Sequence, residues 1–236
     1  MKSFIKYTMA TVVGIFLTMT LFTIISIISL AGMMATEGMS APIKEKSILR
    51  LDLSGTLAER SESNPFAALM GEENTALSLE DALLALDKAA KNENIIGVYL
   101  EGGAMGANPG MAQELRQALV EFKESGKWVV AYGDSYGKTA YYLSSVADSV
   151  LLNPEGNVDF GGMASQIMFY KDVMEKVGVK MQVFKVGTYK SAVEPFICTE
   201  MSPANREQVT SYLFSIWTNM LNDVAESRNM EVGKLN

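Results

Sequence analysis

Histidine is missing from all 236 residues, and cysteine occurs once, as Cys198. A chain with one cysteine forms no internal disulfide. One cysteine without histidine also excludes the usual structural and catalytic zinc sets. Any acid–base chemistry near neutral pH must use a group other than imidazole. A nucleophilic Cys198 would need a base to form its thiolate, and the plainer reading is a small packed or half-exposed thiol. Basic excess is absent too. The net charge is −7 and the charges are mixed, so no basic face marks a nucleic-acid binder.

Charge is locally absent as well. From Tyr7 to Thr36 no residue is charged, and "VVGIFLTMTLFTIISIISLAG" is strongly apolar. About 20 such residues span a bilayer as a helix. Lys2 and Lys6 precede the run and Glu37 follows it, which places the N-terminus in the cytoplasm and the body outside. A cleaved signal peptide is the rival reading, but its apolar region is usually about 7–15 residues. Residues 1–36 are therefore expected to be a cytoplasmic start and an uncleaved signal anchor. Residues 37–46 read as a linker, and 47–236 as the body.

The body is long enough for one domain with a core. "SILRLDLSG" (47–55) alternates apolar and polar residues and ends at glycine, as a strand does. Residues 58–77 read as a loop. "SLEDALLALDKAAK" (78–91) carries a serine cap, Asp81 at the third position and helical apolar spacing. "IIGVYLE" (95–101) and "KWVVAYG" (127–133) suit buried strands, with an amphipathic helix at 110–126 between them. A short helix at 139–147, a strand at 148–153, a helix at 166–178 and a strand at 179–186 follow. Ser202 and Pro203 open a last helix, as cap and first position. Such alternation predicts an α/β fold with a mostly parallel sheet.

Three segments could carry chemistry. The glycines of "EGGAMGANPG" (101–110) lie between a strand and a helix, where free amides can hold an anion. Their spacing fits neither the dinucleotide fingerprint nor a P-loop, and a flexible loop is the simpler reading. "DSYGKTAYYL" (134–143) offers Ser135, Lys138 and Thr139 at a strand–helix junction. None lies in a G-x-S-x-G elbow, so a capping turn is the simpler reading there. "VGTYKSAVEPF" (186–196) places Lys190 between a strand and Pro195. Burial in an apolar pocket lets a lysine lose its proton and serve as a base for a serine. A solvated lysine would not. Glu194 reads equally as a structural carboxylate paired with a cation. Ser191 adjoins Lys190 and points away from it on an extended segment, so it is not taken as its partner.

"VFKVGTYKSAVEPF" followed by "MSPANREQ" resembles the N-terminal repeat of the long form of signal peptide peptidase A, a Ser–Lys dyad peptidase family. "AYGDSYGKTAYYLSSVADSVLLNPEGNVDFGGM" resembles the same repeat, and the likeness spans roughly residues 47–230. It implies a Clp protease/crotonase-like α/β fold behind an N-terminal transmembrane helix. It also implies that Lys190 is the general base and proton donor. In single-repeat members the serine precedes a "GGYY"-like helix start. Here that turn is "GKTAYY" and Lys138 stands at the serine's place. The resemblance thus implies that the nucleophile lies outside these residues, in a second repeat of a longer chain. Gly102 and Gly103 fall near the family's oxyanion loop, whose working donors belong more naturally beside the serine. The resemblance further implies peptide substrates (cleaved signal peptides), no cofactor or metal, a homotetramer, and a place in a bacterial inner membrane with the body on the outer side. A non-catalytic anchoring and assembly domain is the alternative, motivated by the missing serine. A crotonase-type acyl-thioester enzyme is a third reading, opposed by the anchor's orientation.

Overall fold

The computed structural model describes residues 2–36, 42–61 and 77–235. It divides into two units, residues 1–44 and 45–236. The expected linker at 37–46 and loop at 58–77 lie partly outside the described residues.

The first unit is a single helix, α1 (Lys2–Thr36). Its stretch Ser3–Ser29 is long and apolar enough to cross a membrane. Its threonines at 8, 11, 18, 20 and 23 each donate a hydroxyl hydrogen bond to the carbonyl four residues earlier, at 2.8–2.9 Å.

The second unit is built on a parallel sheet, as the alternating pattern requires. Its strands are β1 (Ser47–Asp52), β3 (Ile95–Gly102), β5 (Trp128–Tyr136) and β6 (Ser149–Val158), in the order β1-β3-β5-β6. A two-residue pair, β2 (Gly55–Thr56) and β4 (Met105–Gly106), forms a second small sheet. Parallel strands need crossover connections, supplied by α2 (Leu79–Lys91), α3 (Pro109–Glu124) and α4 (Lys138–Ser144). The caps are local chemistry. Ser78 Oγ accepts from the Asp81 amide at 3.2 Å, and Asn108 Oδ1 from the Gly110 amide at 3.0 Å with Pro109 at the first position. Each cap satisfies an amide that the helix itself leaves free.

Register sets which face is buried. Leu49, Val98 and Val129 align across three strands, as do Leu51, Leu100, Ala131 and Val150. This face meets Leu86 of α2, Leu115, Leu119 and Phe122 of α3, and Leu143 of α4. The opposite face carries Arg50 and Trp128, both exposed, and an Arg50–Glu101 ion pair.

Two glycines of β3 yield room to aromatic rings. A Cβ at Gly97 would lie 2.3 Å from the Trp128 indole, and one at Gly102 would lie 2.3 Å from the Tyr136 ring. Tyr136 is buried and donates its hydroxyl to the Leu151 carbonyl at 3.0 Å. Burial pushes its phenol up to about 12. We expect Gly102→Ala to destabilise the body by about 1–3 kcal/mol through overpacking. A urea midpoint unchanged from the parent chain would contradict this.

Beyond β6 the structure departs from the pattern. The helix expected at 166–178 is confined to α5 (Lys171–Lys176), and the strand expected at 179–186 does not form. Residues 179–186 pair with no strand, and apolar alternation alone supplies no partner. Strands β5 and β6 instead run further than expected, to Tyr136 and Val158. A proline within β6, Pro154, is tolerated because β6 is an edge. The last helix, α7 (Pro203–Arg228), starts at its expected cap, with Ser202 Oγ accepting from the Asn205 amide at 3.2 Å.

Candidate active site

Lys190 lies on a loop between Gly187, whose φ of +101° turns the chain, and a 3-10 turn over Ser191–Val193. A short helix, α6 (Glu194–Ile197), follows with Pro195 in its first turn. This segment is fastened to the start of α7. Tyr189 donates its hydroxyl to Glu207 Oε2 at 3.2 Å, and Ser191 donates to Gln208 Oε1 at 3.4 Å. The Glu207 charge, then the hydrogen bond to it, raises the Tyr189 phenol above its ordinary value.

Glu194 is the strongest fastening. It is 2% exposed. Its carboxylate accepts from Ser202 Oγ at 2.6 Å, Asn205 Nδ2 at 2.9 Å and the Ser202 amide at 3.2 Å. These bonds, led by the Ser202 hydroxyl, outweigh desolvation and lower its pKa, with Lys185 adding a smaller attraction. The structural reading of Glu194 is thus correct, but its hydrogen-bond partners are a helix cap and an amide rather than a cation. Ser202 at once caps α7 and holds the segment that carries Lys190. Packing adds to this, since the Tyr170 amide donates to the Pro195 carbonyl at 2.6 Å and the Tyr170 and Phe196 rings stack 6.1 Å apart.

Because its pKa is depressed, Glu194 contributes stability that is present above its unfolded-state pKa. That stability is lost as pH falls through the lower folded-state value. Glu194→Gln should therefore weaken the fold near neutral pH and flatten its acid dependence. Urea midpoints with the same pH slope as the parent chain would show that the carboxylate does not hold this loop.

Lys190 itself is exposed in the isolated chain. Among the described residues its ammonium has no hydrogen-bond or ion-pair partner. Its loop is held while its amine is left open.

The other candidates are accounted for by structure. Ser135 lies inside β5, paired with Asn157. The α4 cap position is Gly137, with no side-chain cap bond, so the expected capping turn is replaced by a bare strand–helix junction. Lys138 Nζ donates to the Gly162 carbonyl at 2.6 Å and sits 5.7 Å above the Trp217 ring. The Gly103 carbonyl accepts from the Gly137 amide at 2.9 Å, joining the two βα junctions. Cys198 is partly exposed.

Both lysine sites lean on α7, through Glu207 for the Lys190 loop and Trp217 for Lys138. Those supports lie ten residues apart in the helix, or about 15 Å of axis. Sequence reasoning missed one conspicuous group, Arg116, which is 5% exposed. It donates from Nη1 to the Tyr142 carbonyl (2.5 Å) and Ser145 Oγ (2.8 Å), and from Nη2 to the Asp223 carbonyl and Ser227 Oγ (2.6 Å each). Nothing in the helical pattern distinguishes an arginine aimed inward from one in water.

A parallel α/β body with a lysine-bearing loop docked on a capped helix is an arrangement on which acyl-transfer chemistry can be built. Residues 121–236 match the model of Peptidase family S49. The chain is 35% identical over 208 residues to Protease 4 of Salmonella typhi, covering 84% of this chain and 34% of that protein. It is 32% identical over 203 residues to Protease 4 of Haemophilus influenzae, covering 83% and 33%. Among solved structures, a membrane-bound stomatin-specific protease mutant in complex with a substrate peptide aligns over 77% of this chain and 65% of that chain, with a TM-score of 0.33 and 10% identity. The chain belongs to peptidase family S49. It spans about a third of the length of these two curated relatives.

Proposed function

We propose that these residues form the anchored, base-bearing part of a serine endopeptidase that degrades cleaved signal peptides. The body takes the Clp protease/crotonase-like form, and α1 tethers it to a bacterial inner membrane with the N-terminus inside. Lys190 is the general base. It removes the proton from a serine hydroxyl supplied by a second repeat, and the serine oxygen attacks the peptide carbonyl. The ammonium so formed gives its proton to the leaving amine, and water then releases the acyl group. The observation that carries this reading is the loop of Lys190. Three separate side chains, Tyr189, Ser191 and Glu194, hold that loop to α7 while the amine stays unpartnered. Assembly into a homotetramer would enclose the amine.

The test is covalent. A fluorophosphonate should label the full-length protein at one serine outside residues 1–236, and Lys190→Ala should slow labelling severely. Labelling that is unaffected by Lys190→Ala would remove the lysine from the mechanism. A second reading rests on Lys138, which fills the nucleophile's place with a cation engaged to Gly162. On that reading the body serves only in anchoring and assembly. Activity would then survive Lys190→Ala while deletion of the body would break the oligomer.

A further inference from the structure

A groove of about 710 Å³ runs between α2 and α3, and no residue of the Lys190 loop lines it. Its floor is Leu83, Leu86, Ala90, Ala118 and Phe122, which belong to the core or pack against it. The lining residues recur every three or four positions on both helices, so each helix offers one stripe. The groove lies where the two stripes meet. Ala90 and Ala118 are small, which leaves a furrow above the buried Leu86 and Phe122. Apolar groups set below exposed polar walls are out of reach of a flat lipid surface. They suit a rod laid along the furrow, as a helix is.

The walls carry one sign of charge. Asp87, Glu114 and Glu121 line the groove, and among the described residues no lysine or arginine does. Asp87 pairs with Lys91 at 2.6 Å, an exposed pair and therefore a weak one. Glu121 accepts from the neutral Gln117 Nε2 at 3.1 Å. Glu114 has no hydrogen-bond or ion-pair partner among the described residues. Glu114 and Glu121 both stand on α3, about two turns apart. Carboxylates at that spacing match cations at the same spacing on a second helix.

We propose that the groove between α2 and α3 binds an amphipathic helix of a partner protein, one whose apolar stripe is flanked by lysines or arginines about two turns apart. The lining from Gly110 to Glu121 covers about 16 Å of axis, so the groove holds about three turns of the partner. The apolar stripe fills the floor, and the cations meet Glu114 and Glu121. A second copy of this chain is a poorer occupant, because it carries the same net charge of −7 and is repelled. Docking here asks nothing of Lys190, so the site stands apart from the peptidase chemistry.

The probe is a fluorescent leucine–glutamine helix bearing two lysines seven residues apart, with a twin bearing glutamates at the same places. Anisotropy is read on the full-length protein in zwitterionic nanodiscs, with the signal of empty discs subtracted. The lysine peptide should bind roughly tenfold more tightly than its twin, because charge sign across an interface selects the partner. Glu114→Lys combined with Glu121→Lys should reverse that order. The milder pair Glu114→Gln and Glu121→Gln should abolish the preference. Ala118→Leu, which fills the furrow without altering charge, should weaken the lysine peptide. All these variants should keep the parent's peptidase rate on short peptides, which shows that they fold. No binding of the lysine peptide, equal binding of the twins to the parent, or an order unchanged by the reversal would overturn the proposal. A native oligomer that dissociates in the reversed variant would overturn the choice of occupant in favour of a second copy.

Discussion

Lys190→Ala in the full-length protein is expected to lower kcat by roughly 10²–10⁴-fold, the usual contribution of a positioned general acid–base group. On the proposed base role KM should change little, because the amine would then act on the serine proton rather than on substrate binding. Lys190→Arg is the sharper variant. Guanidinium keeps the charge and much of the reach but does not give up its proton in proteins. A base role predicts that arginine is as inactive as alanine, whereas a purely electrostatic role predicts substantial recovery. Activity within a few-fold of the parent in folded Lys190→Ala would leave the assembly reading in its place.

The second large effect concerns stability. Truncation of Arg116 to alanine is expected to cost roughly 2–4 kcal/mol, from buried acceptors left unsatisfied and lost packing of the side-chain stem. The guanidinium ties α3 to α4 through Tyr142 and Ser145, and to α7 through Asp223 and Ser227. It lies 4.7 Å from the centre of the Tyr142 ring, and the Tyr142 hydroxyl donates to Asp223 Oδ2 at 2.5 Å. Burial lowers its pKa, an effect opposed by Tyr142, Asp223 and Glu226. Arg116→Lys should recover only part of the loss, since an ammonium cannot reproduce a planar fork of donors. The readout is the urea midpoint of the body. A loss below about 0.5 kcal/mol in Arg116→Ala, the size of an ordinary surface substitution, would mean that these helices do not depend on the network.

The pattern of apolar residues was sufficient for β1, β3, β5 and the helices between them. Each of these elements meets its partner inside the second unit, so local period and tertiary burial agree. Helix starts were legible wherever a side chain caps an amide, as Ser78 and Ser202 do. The reading failed at 179–186 for the opposite reason. Val179, Met181 and Val183 promise a buried face, but a strand is completed only by a neighbour. For the candidate site, the sequence offered Lys190 as a candidate base and Glu194 equally as a structural carboxylate. It did not show that Ser202 and Asn205 would be the carboxylate's partners, because those contacts join residues on separate elements. Arg116 was illegible because its partners are mostly backbone carbonyls and serines, which leave no charge pattern.

The threonines of α1 have a consequence for what that helix can recognise. Each hydroxyl proton along residues 8–23 already engages the helix's own backbone. In hydrocarbon, where no water competes, those bonds have little reason to open. Interhelical hydrogen bonds of the sort that glue membrane helices together would require breaking them first. Residues 8–23 are thus chemically quiet: in a bilayer they could be held by lipid, but none of their threonines keeps a spare donor with which to single out a neighbour.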